Sequence, residues 1–341
     1  MVEHDGAAGG PQDRPAAITL ADVAREAGVG ESTVSRVIRG KGSVSDDARQ
    51  RVLETVRRLG YVPNRIAGTL ASSGSRLVAL VIPSITNIVF ADVLSGAAPT
   101  LTDAGYQSVF AVTDYDPNAE ERLIESMLTW RPAGLIVAGL EHTARAFAMM
   151  RGAGIRVAEI LDTDAAGIDI VVGYSNLDAG RASARFLVSR GKKRIGYVGH
   201  DLKRDRRGAK RYQGFCQALA GLGLAVADTE IAPALSSIEL GRNGLAVLLD
   251  RTPDLDAVYF ANDDLALGGL FHCMANGIAV PDRLALMGYN GLDVARLAPQ
   301  PLATIRTPRR QIGEMAARLV CSDEPSGIYD VGFELIEGAT V

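Results

Sequence analysis

Aromatic side chains are scarce in this chain. Trp, Tyr and Phe make up 5% of 341 residues, with a single tryptophan. A core with so few rings must be filled by aliphatic side chains, and Ala, Gly, Leu and Val dominate, which suits helices alternating with buried parallel strands. Cysteine is scarcer still. Cys216, Cys273 and Cys321 are odd in number and far apart, and no CxxC occurs, which argues against a disulfide framework or a zinc knuckle. The four histidines (His4, His142, His200, His272) show no ligand spacing, so no metal is expected. Buried thiols in a reducing cytoplasm are the expected outcome. No apolar run reaches the ~18 residues a membrane helix needs, so no membrane partner is expected. Residues 1–17 carry Gly, Pro and Asp, with no basic start followed by an apolar core. They read as a disordered arm rather than a signal peptide. Gly152-x-Gly154 reads as a helix-to-strand turn, and no GxGxxG follows a strand, so no dinucleotide is implied. There is no nucleophile–base pair, metal cluster or phosphate loop. Neither a cofactor nor enzymatic activity is expected.

What is present is uneven. The length calls for two or three domains, and an apolar content near half supports globular folding. The formal net charge is -4, yet nine cations and six anions between Ile18 and Arg65 leave that stretch at +3 and the remainder at -7. A basic head on an acidic body suggests that the head meets phosphate.

The head, residues 18–63, is expected to be helical. Thr19 can cap a helix that Asp22 answers in a capping box, and Leu20, Val23, Ala24 and Ala27 follow at helical spacing. Gly28 stands where a tight turn needs positive φ. A second helix from Glu31 to Ile38 turns Val34, Val37 and Ile38 inward and leaves Glu31, Ser32, Thr33, Ser35 and Arg36 outward. Ser45 caps a third helix with Asp46 and Asp47 in its first turn and Val52, Val56 and Leu59 on its core face, and Gly60 ends it. Helix, glycine turn, helix is a helix-turn-helix arrangement, and its second helix is sized for the major groove.

The residues go further than the periodicity. DVA, AGV, TVSRVI, VS and LGYVPN, with the arginine after them, resemble the head of the lactose/galactose repressor family of bacterial transcription regulators across essentially its whole length. The resemblance implies operator-reading positions at Glu31 and Ser32, a guanine-reading arginine at Arg36, and backbone contacts at Thr19, Thr33, Ser35, Asn64 and Arg65. Gly30 stands where relatives carry a capping Ser or Thr. Glu31 brings a carboxylate to the groove, where a cytosine amine would suit it. Residues 64–75 then correspond to a hinge helix and linker. Asn64–Ala71 is too short for a stable isolated helix, and Gly68 weakens it by roughly 1 kcal/mol relative to alanine. The resemblance implies that Ala67 and Leu70 meet the minor groove, with Leu70 wedged into a kinked step.

From Leu77 the pattern alternates strand and helix, which argues parallel sheets with right-handed crossovers. One series runs from Leu77 to Leu161. A second, starting near Asp169 with IVVGY, runs to LALMGYN. The fold expected is therefore an all-α helix-turn-helix head plus an α/β effector domain of two similar lobes over 76–341, similar to periplasmic binding proteins. A ligand would sit at the carboxyl ends of the strands. PSITNIVFADVLSG, ERLIESMLTWRPAGLI, EILD, DIVVGYSN and NDDLALG resemble most closely the gluconate-utilisation branch of the family.

Effector contacts are expected at Ser84, Val89, Phe90, Glu159, Asp162, Asp205, Arg207, Ser236, Asn262 and Asn290. Arg207 suits a carboxylate because its fork gives two parallel charge-assisted bonds. Asn290 stands where many relatives have an aspartate, and an amide there removes a charge that would repel an anion. Plainer readings stay open. Glu159 could pair with an arginine inside its lobe, Asp263 or Asp264 could merely cap the next helix, and the run Asp205–Arg207 could be a solvated face. The implied function is a repressor that binds palindromic double-stranded operator DNA as a homodimer or a tetramer and is released by a small sugar acid, gluconate or a close relative. A neutral sugar, a co-repressor, or a transport-type sugar-binding protein are the alternatives.

Overall fold

The computed structural model describes residues 17–40, 42–63 and 75–341. The chain divides into two compact units between Ser73 and Gly74. The arm over residues 1–16 and the hinge over 64–74, with Asn64, Arg65, Ala67, Gly68 and Leu70, lie outside the described residues.

The head is three helices, α1 (Leu20–Ala27), α2 (Glu31–Arg39) and α3 (Asp46–Leu59). The capping box forms as its residues require. Thr19 Oγ1 accepts from the Asp22 amide at 3.2 Å, and the Asp22 carboxylate accepts from the Thr19 amide at 2.9 Å. These bonds from Thr19, then that from Arg25, pull the Asp22 carboxyl down to about 2. Gly28, Gly40 and Gly60 cap the three helices at φ 65°, 62° and 66°, a conformation glycine adopts without a Cβ clash. Gly30 occupies the N-cap of α2 and gives it no side-chain bond. Val23, Ala24, Ala27, Val34, Val37 and Val52 form the core. Val56 and Leu59, expected on the core face of α3, are only partly buried, and Thr55 is buried with Val52 instead. It lies between Val52 and Leu59 on the same stripe, where position decides burial more than residue type.

The body begins with β1 (Leu77–Ile82), α4 (Ile88–Asp103), β2 (Gln107–Val112), α5 (Pro117–Thr129), β3 (Gly134–Ala138), α6 (Ala144–Gly152), β4 (Arg156–Ile160) and β5 (Ile170–Gly173). It continues with α7 (Asn176–Ser189), β6 (Ile195–Gly199), α8 (Arg206–Gly221), β7 (Asp228–Ile231), α9 (Ile238–Arg251), β8 (Ala257–Phe260), α10 (Asp263–Ala275) and β9 (Ala285–Met287). It closes with α11 (Asp293–Arg296), β10 (Thr304–Arg306), α12 (Arg309–Val320), β11 (Gly327–Asp330) and β12 (Glu334–Ile336).

Two parallel sheets result, one ordered β11-β5-β4-β3-β1-β2 and the other β7-β6-β8-β9, with β10 and β12 as a separate antiparallel pair. Within the first sheet β1, β3 and β5 are covered on both faces and read as unbroken apolar runs. Alternate residues divide between the faces. Ala79, Val81, Leu135, Val137 and Val157 join Ile124 and Met127 of α5 and Ala146 and Met150 of α6. Val78, Leu80, Ile136, Ala158 and Ile160 join the larger core that runs through both lobes.

The lobes are not consecutive halves of the chain. The segment expected to open the second lobe, β5, belongs to the first sheet and pairs with β4 in the register Ala158↔Ile170 and Ile160↔Val172. The chain then builds the second lobe and returns through α12, which packs on α4, and β11, which pairs with β5. A strand buried on both faces carries no mark of which sheet it joins. The partner across the ladder decides that, and β11 lies far away in sequence.

Helix pairs cross where glycines replace side chains. A Cβ at Gly96 of α4 would stand 2.1 Å from the Arg310 carbonyl oxygen, and one at Gly313 of α12 would stand 2.0 Å from that of Val93. The same reciprocal pattern joins α7 to α8 through Gly180 and Gly214, and α9 to α10 through Gly241 and Gly268.

Candidate functional site

On the head, α2 separates its two faces cleanly. Val34 and Val37 are buried, Glu31, Ser32 and Arg36 are exposed, and Thr33 and Ser35 are half-buried. Arg36 has no ion-pair partner among the described residues, and its stem lies against Gly42. Arg39, Arg49 and Arg57 are likewise without ion pairs among the described residues, whereas Arg25, Arg51 and Arg58 are engaged by Asp22, Asp47 and Glu26. Thr19 sits at the cap of α1, exposed.

In the body, the carboxyl ends of β1, β6 and β8 open onto a cleft between the lobes. Its inner part is lined by Val89, Phe90, Asp205, Arg207, Asn262 and Asn290, all expected from sequence, together with Asn87, Tyr115, Leu161, Tyr174, His200 and Arg211. An adjoining space, sharing Asn87, Tyr115, His200 and Asp205, takes in Ser84 and Ser236.

Each side chain has a local cause for its position. Asn87 is the N-cap of α4. Its Oδ1 accepts from the Val89 amide at 3.1 Å, which leaves Nδ2 to donate to the Tyr115 hydroxyl at 3.1 Å. Tyr115 follows Asp114 in a turn where both have positive φ, 52° and 59°. That conformation is strained for a tyrosine, and it brings the ring edge-on to Phe90 with centroids 6.3 Å apart. Asn262 is the N-cap of α10, accepting from the Leu265 amide at 3.1 Å while bonding Ser236. Neither Asp263 nor Asp264 is that cap. Asp263 is fully buried and accepts from the Leu292 amide and Thr304 hydroxyl, both at 2.7 Å. Burial raises its carboxyl to about 6. Asn290 holds φ 115° beside Gly291, with its amide bonded to the Ile305 carbonyl at 2.9 Å.

The charged wall comes from the loop after β6 and the start of α8. Arg207 and Arg211 are one helical turn apart and so share a face. The Arg211 guanidinium is buried over the Tyr289 ring at 4.1 Å and donates to the Asn176 amide oxygen at 3.1 Å. Burial alone would lower its pKa. The rings around it and Asp205 outweigh that and keep it charged. Asp205 lies 3.1 Å from His200 Nε2 and 3.4 Å from Arg211 Nη2. Its burial favours the neutral acid, but His200, Arg211 and Arg207 outweigh it and hold the carboxyl far below the ordinary range. Arg207 is the contrast. It is half-buried, its guanidinium lies 5.2 Å from the Phe90 ring centroid, and no carboxylate pairs with it among the described residues.

Two expected contacts are corrected. Glu159 faces the other side of β4, where its carboxylate accepts from the Ile168 amide at 2.5 Å and stands 3.4 Å from His142 Nε2. Its partner is therefore a histidine, not an arginine. Strand parity decides this, because Val157 shares its face whereas Ala158 and Ile160 point the other way. Asp162 is fully buried and capped by Lys210 Nζ at 2.5 Å, so it is covered from the cleft. Of the residues missed, Arg211 was legible as the same-face neighbour of Arg207. Tyr115 depends on a strained turn that no local pattern announces.

A helix-turn-helix head with unpaired cations, joined to a two-lobed body with a polar interlobe cleft, defines a DNA-binding regulator with a small-molecule site. The comparisons with known proteins give its family. The model for bacterial regulatory proteins of the lacI family matches residues 19–64, and that for periplasmic binding proteins and the sugar-binding domain of the LacI family matches residues 75–326. The chain belongs to the LacI family, whose members are transcription regulators and not enzymes. It is 38% identical over 324 residues to the HTH-type transcriptional regulator GntR of Pseudomonas aeruginosa, covering 93% of this chain and 94% of that one. It is 37% identical over 331 residues to GntR of Escherichia coli strain K12, covering 94% and 98%. A LacI-family regulator from Silicibacter pomeroyi superposes with a TM-score of 0.90 at 41% identity, covering 95% of this chain and 99% of that one. The transcription regulator GntR from Chromobacterium violaceum gives 0.72 at 37% identity, covering 77% and 98%. Among the described residues, no helix is long and apolar enough to cross a membrane.

Proposed function

We propose that this chain represses transcription from a palindromic operator, as a homodimer or a tetramer in the cytoplasm, and that a small sugar acid, gluconate or a close relative, releases it. The observation that carries the effector class is Arg207, a half-buried guanidinium with no carboxylate partner among the described residues, over an aromatic ring in a polar cleft. Such a group lacks only an anion to complete it. Arg207 would take the ligand carboxylate as a fork, with Arg211 behind it. Asp205, Asn262, Asn290, Ser84 and Ser236 would serve the hydroxyls, and Phe90 and Val89 would close the apolar side. GntR relatives at 37–38% identity support the same reading.

On the head, Arg36 is proposed to read a guanine and Glu31 and Ser32 the neighbouring bases. Thr19, Thr33 and Ser35, and Asn64 and Arg65 beyond the described residues, would hold phosphate. Ala67 and Leu70 are proposed for the minor groove on the family pattern. Effector binding would release the operator only by favouring the released arrangement of the lobes. Calorimetry with gluconate and glucose tests the effector class. Gluconate should bind about tenfold or more tightly, since only it supplies the carboxylate. Equal affinities would remove the sugar-acid reading and leave a neutral-sugar regulator.

A further inference from the structure

Lys210 lies on α8 of the second lobe, and its amine bonds two carboxylates of the first, Asp162 at 2.5 Å and Glu141. Among the described residues, these are the ion pairs that join the two lobes. Burial would lower the pKa of Lys210, but its bonds to Asp162 and Glu141 outweigh this and raise it, so the amine is charged. Neither Lys210 nor Asp162 lines the cleft, so their pair is not a ligand contact.

Both ends of the bridge are anchored. On the first lobe, Asp162 is fully buried, and its other oxygen accepts from the Asp164 amide at 3.0 Å. Asp164 in turn accepts from the Ser175 hydroxyl at 2.5 Å and the Leu177 amide at 3.0 Å, where the chain crosses from β5 to α7. Glu141 precedes His142, which Glu120 holds inside the lobe at 2.6 Å. On the second lobe, Lys210 stands beside Arg211 and one turn after Arg207, the two arginines of the cleft wall. A helix fastened at Lys210 therefore carries both arginines against the first lobe, where Arg207 lies over Phe90.

The burial of Asp162 sets the sign. A buried carboxylate is tolerated with a cation beside it and strongly disfavoured without one. If Lys210 were uncharged, the present arrangement would bury a bare carboxylate, and separating the lobes would let water reach it. Glu141 is exposed and screened by solvent, so it contributes less.

We propose that Lys210 is a positioning residue that holds the lobes closed over the cleft by neutralising Asp162, so that its loss opens the cleft and weakens ligand binding without removing a ligand contact. A ligand binds more weakly in proportion as its competent arrangement is less populated. The inference does not depend on which ligand the cleft takes.

Two measurements on the full chain test it, with Lys210→Met, Glu141→Gln and the double variant Lys210→Met/Asp162→Asn. Double electron–electron resonance reads the lobe separation without ligand. It uses spin labels at the exposed positions Ser126→Cys on α5 and Ala220→Cys on α8, with Cys216, Cys273 and Cys321 replaced by alanine and unlabelled chain in excess. Lys210→Met should shift the distances to longer values and Glu141→Gln should shift them less. The double variant should return towards the unaltered chain, because no bare carboxylate is left in it. Calorimetry with gluconate should follow the same order, with Lys210→Met weakened about fivefold or more. Unaltered distances in Lys210→Met, or in Glu141→Gln where the lysine variant does not fold, would overturn the proposal. A double variant as open as Lys210→Met overturns it too, since neutralising Asp162 would then not be the cause. Weaker gluconate binding with unaltered distances would make Lys210 a ligand contact and equally overturn it. Failure of gluconate to bind the unaltered chain removes the sugar-acid reading alone, and the distances still decide this one.

Discussion

Replacing Arg207 by alanine should cost most of the affinity for a sugar acid, and the structure sets the scale. The guanidinium is half-buried, lies 5.2 Å from the Phe90 ring centroid, and has no carboxylate partner among the described residues. Its charge is therefore available to a ligand without breaking an existing pair. Hydrogen bonds to a charged group contribute about 1.5–3 kcal/mol each. Partial exposure screens the second bond of the fork, so the pair is worth about 2–3 kcal/mol, or roughly 30- to 150-fold in Kd. Arg207→Lys keeps the charge but loses the planar fork and most of the stacking on Phe90, and should lose about tenfold. Calorimetry with gluconate on the three proteins measures this directly, and their melting temperatures, which should agree closely, check the fold. Arg207→Ala binding gluconate within about threefold of the unaltered chain would refute the carboxylate assignment.

His142 gives a pH signature. Burial alone would lower its pKa, but its bonds and charge contacts with Glu120 and Glu159 outweigh this and raise it to about 9, above the ordinary 6.5. Its stabilisation is thus complete below pH 6.5 and is lost as pH rises through about 9, a contribution on the order of 1–3 kcal/mol. The gap in Tm between the unaltered chain and His142→Gln should narrow from about pH 6.5 to about 9.5; a constant gap would contradict it. Gly214→Ala should destabilise the body by about 3 kcal/mol, because the new Cβ would stand 2.0 Å from the Leu177 carbonyl oxygen. Gly221→Ala, on the same helix with nothing within 4 Å, should be neutral or slightly stabilising in the same thermal melts. Leu70→Ala should weaken operator binding by about tenfold or more while leaving effector calorimetry unaltered. Unchanged operator affinity would remove the wedge role.

The head was almost fully legible because its signals are local. Thr19 and Asp22, Gly28, Ser45 and Gly60 mark ends within a few residues of the features they control, and the structure has each in that role. Body elements were legible for the same reason, with β3 and α6 ending where the pattern ends. Sheet membership was not. β5 looks like the start of a second repeat until β4 and β11 are seen beside it. The last stretch, with α12 packed on α4, was missed because its register depends on Gly96 and Gly313, residues that signal only by lacking a side chain. In the cleft, loop residues at strand ends were found and strand-interior Glu159 was misplaced. A carboxylate within a strand follows the parity of its neighbours, and its apolar flanks Ala158 and Ile160 point towards the main core. Asp162 was misread because its partner, Lys210, comes from a helix 48 residues later.

The central claim is that a sugar acid in the cleft loosens the grip of the head on DNA. Fluorescence anisotropy of the full chain on a labelled palindromic operator, titrated with gluconate, tests it most directly. Saturating gluconate should lower operator affinity by at least about tenfold, the scale of an ordinary coupling free energy between two sites, and Arg207→Ala should abolish the response. Operator affinity that is unchanged or increased by gluconate, while calorimetry records gluconate bound to the same protein, would contradict it.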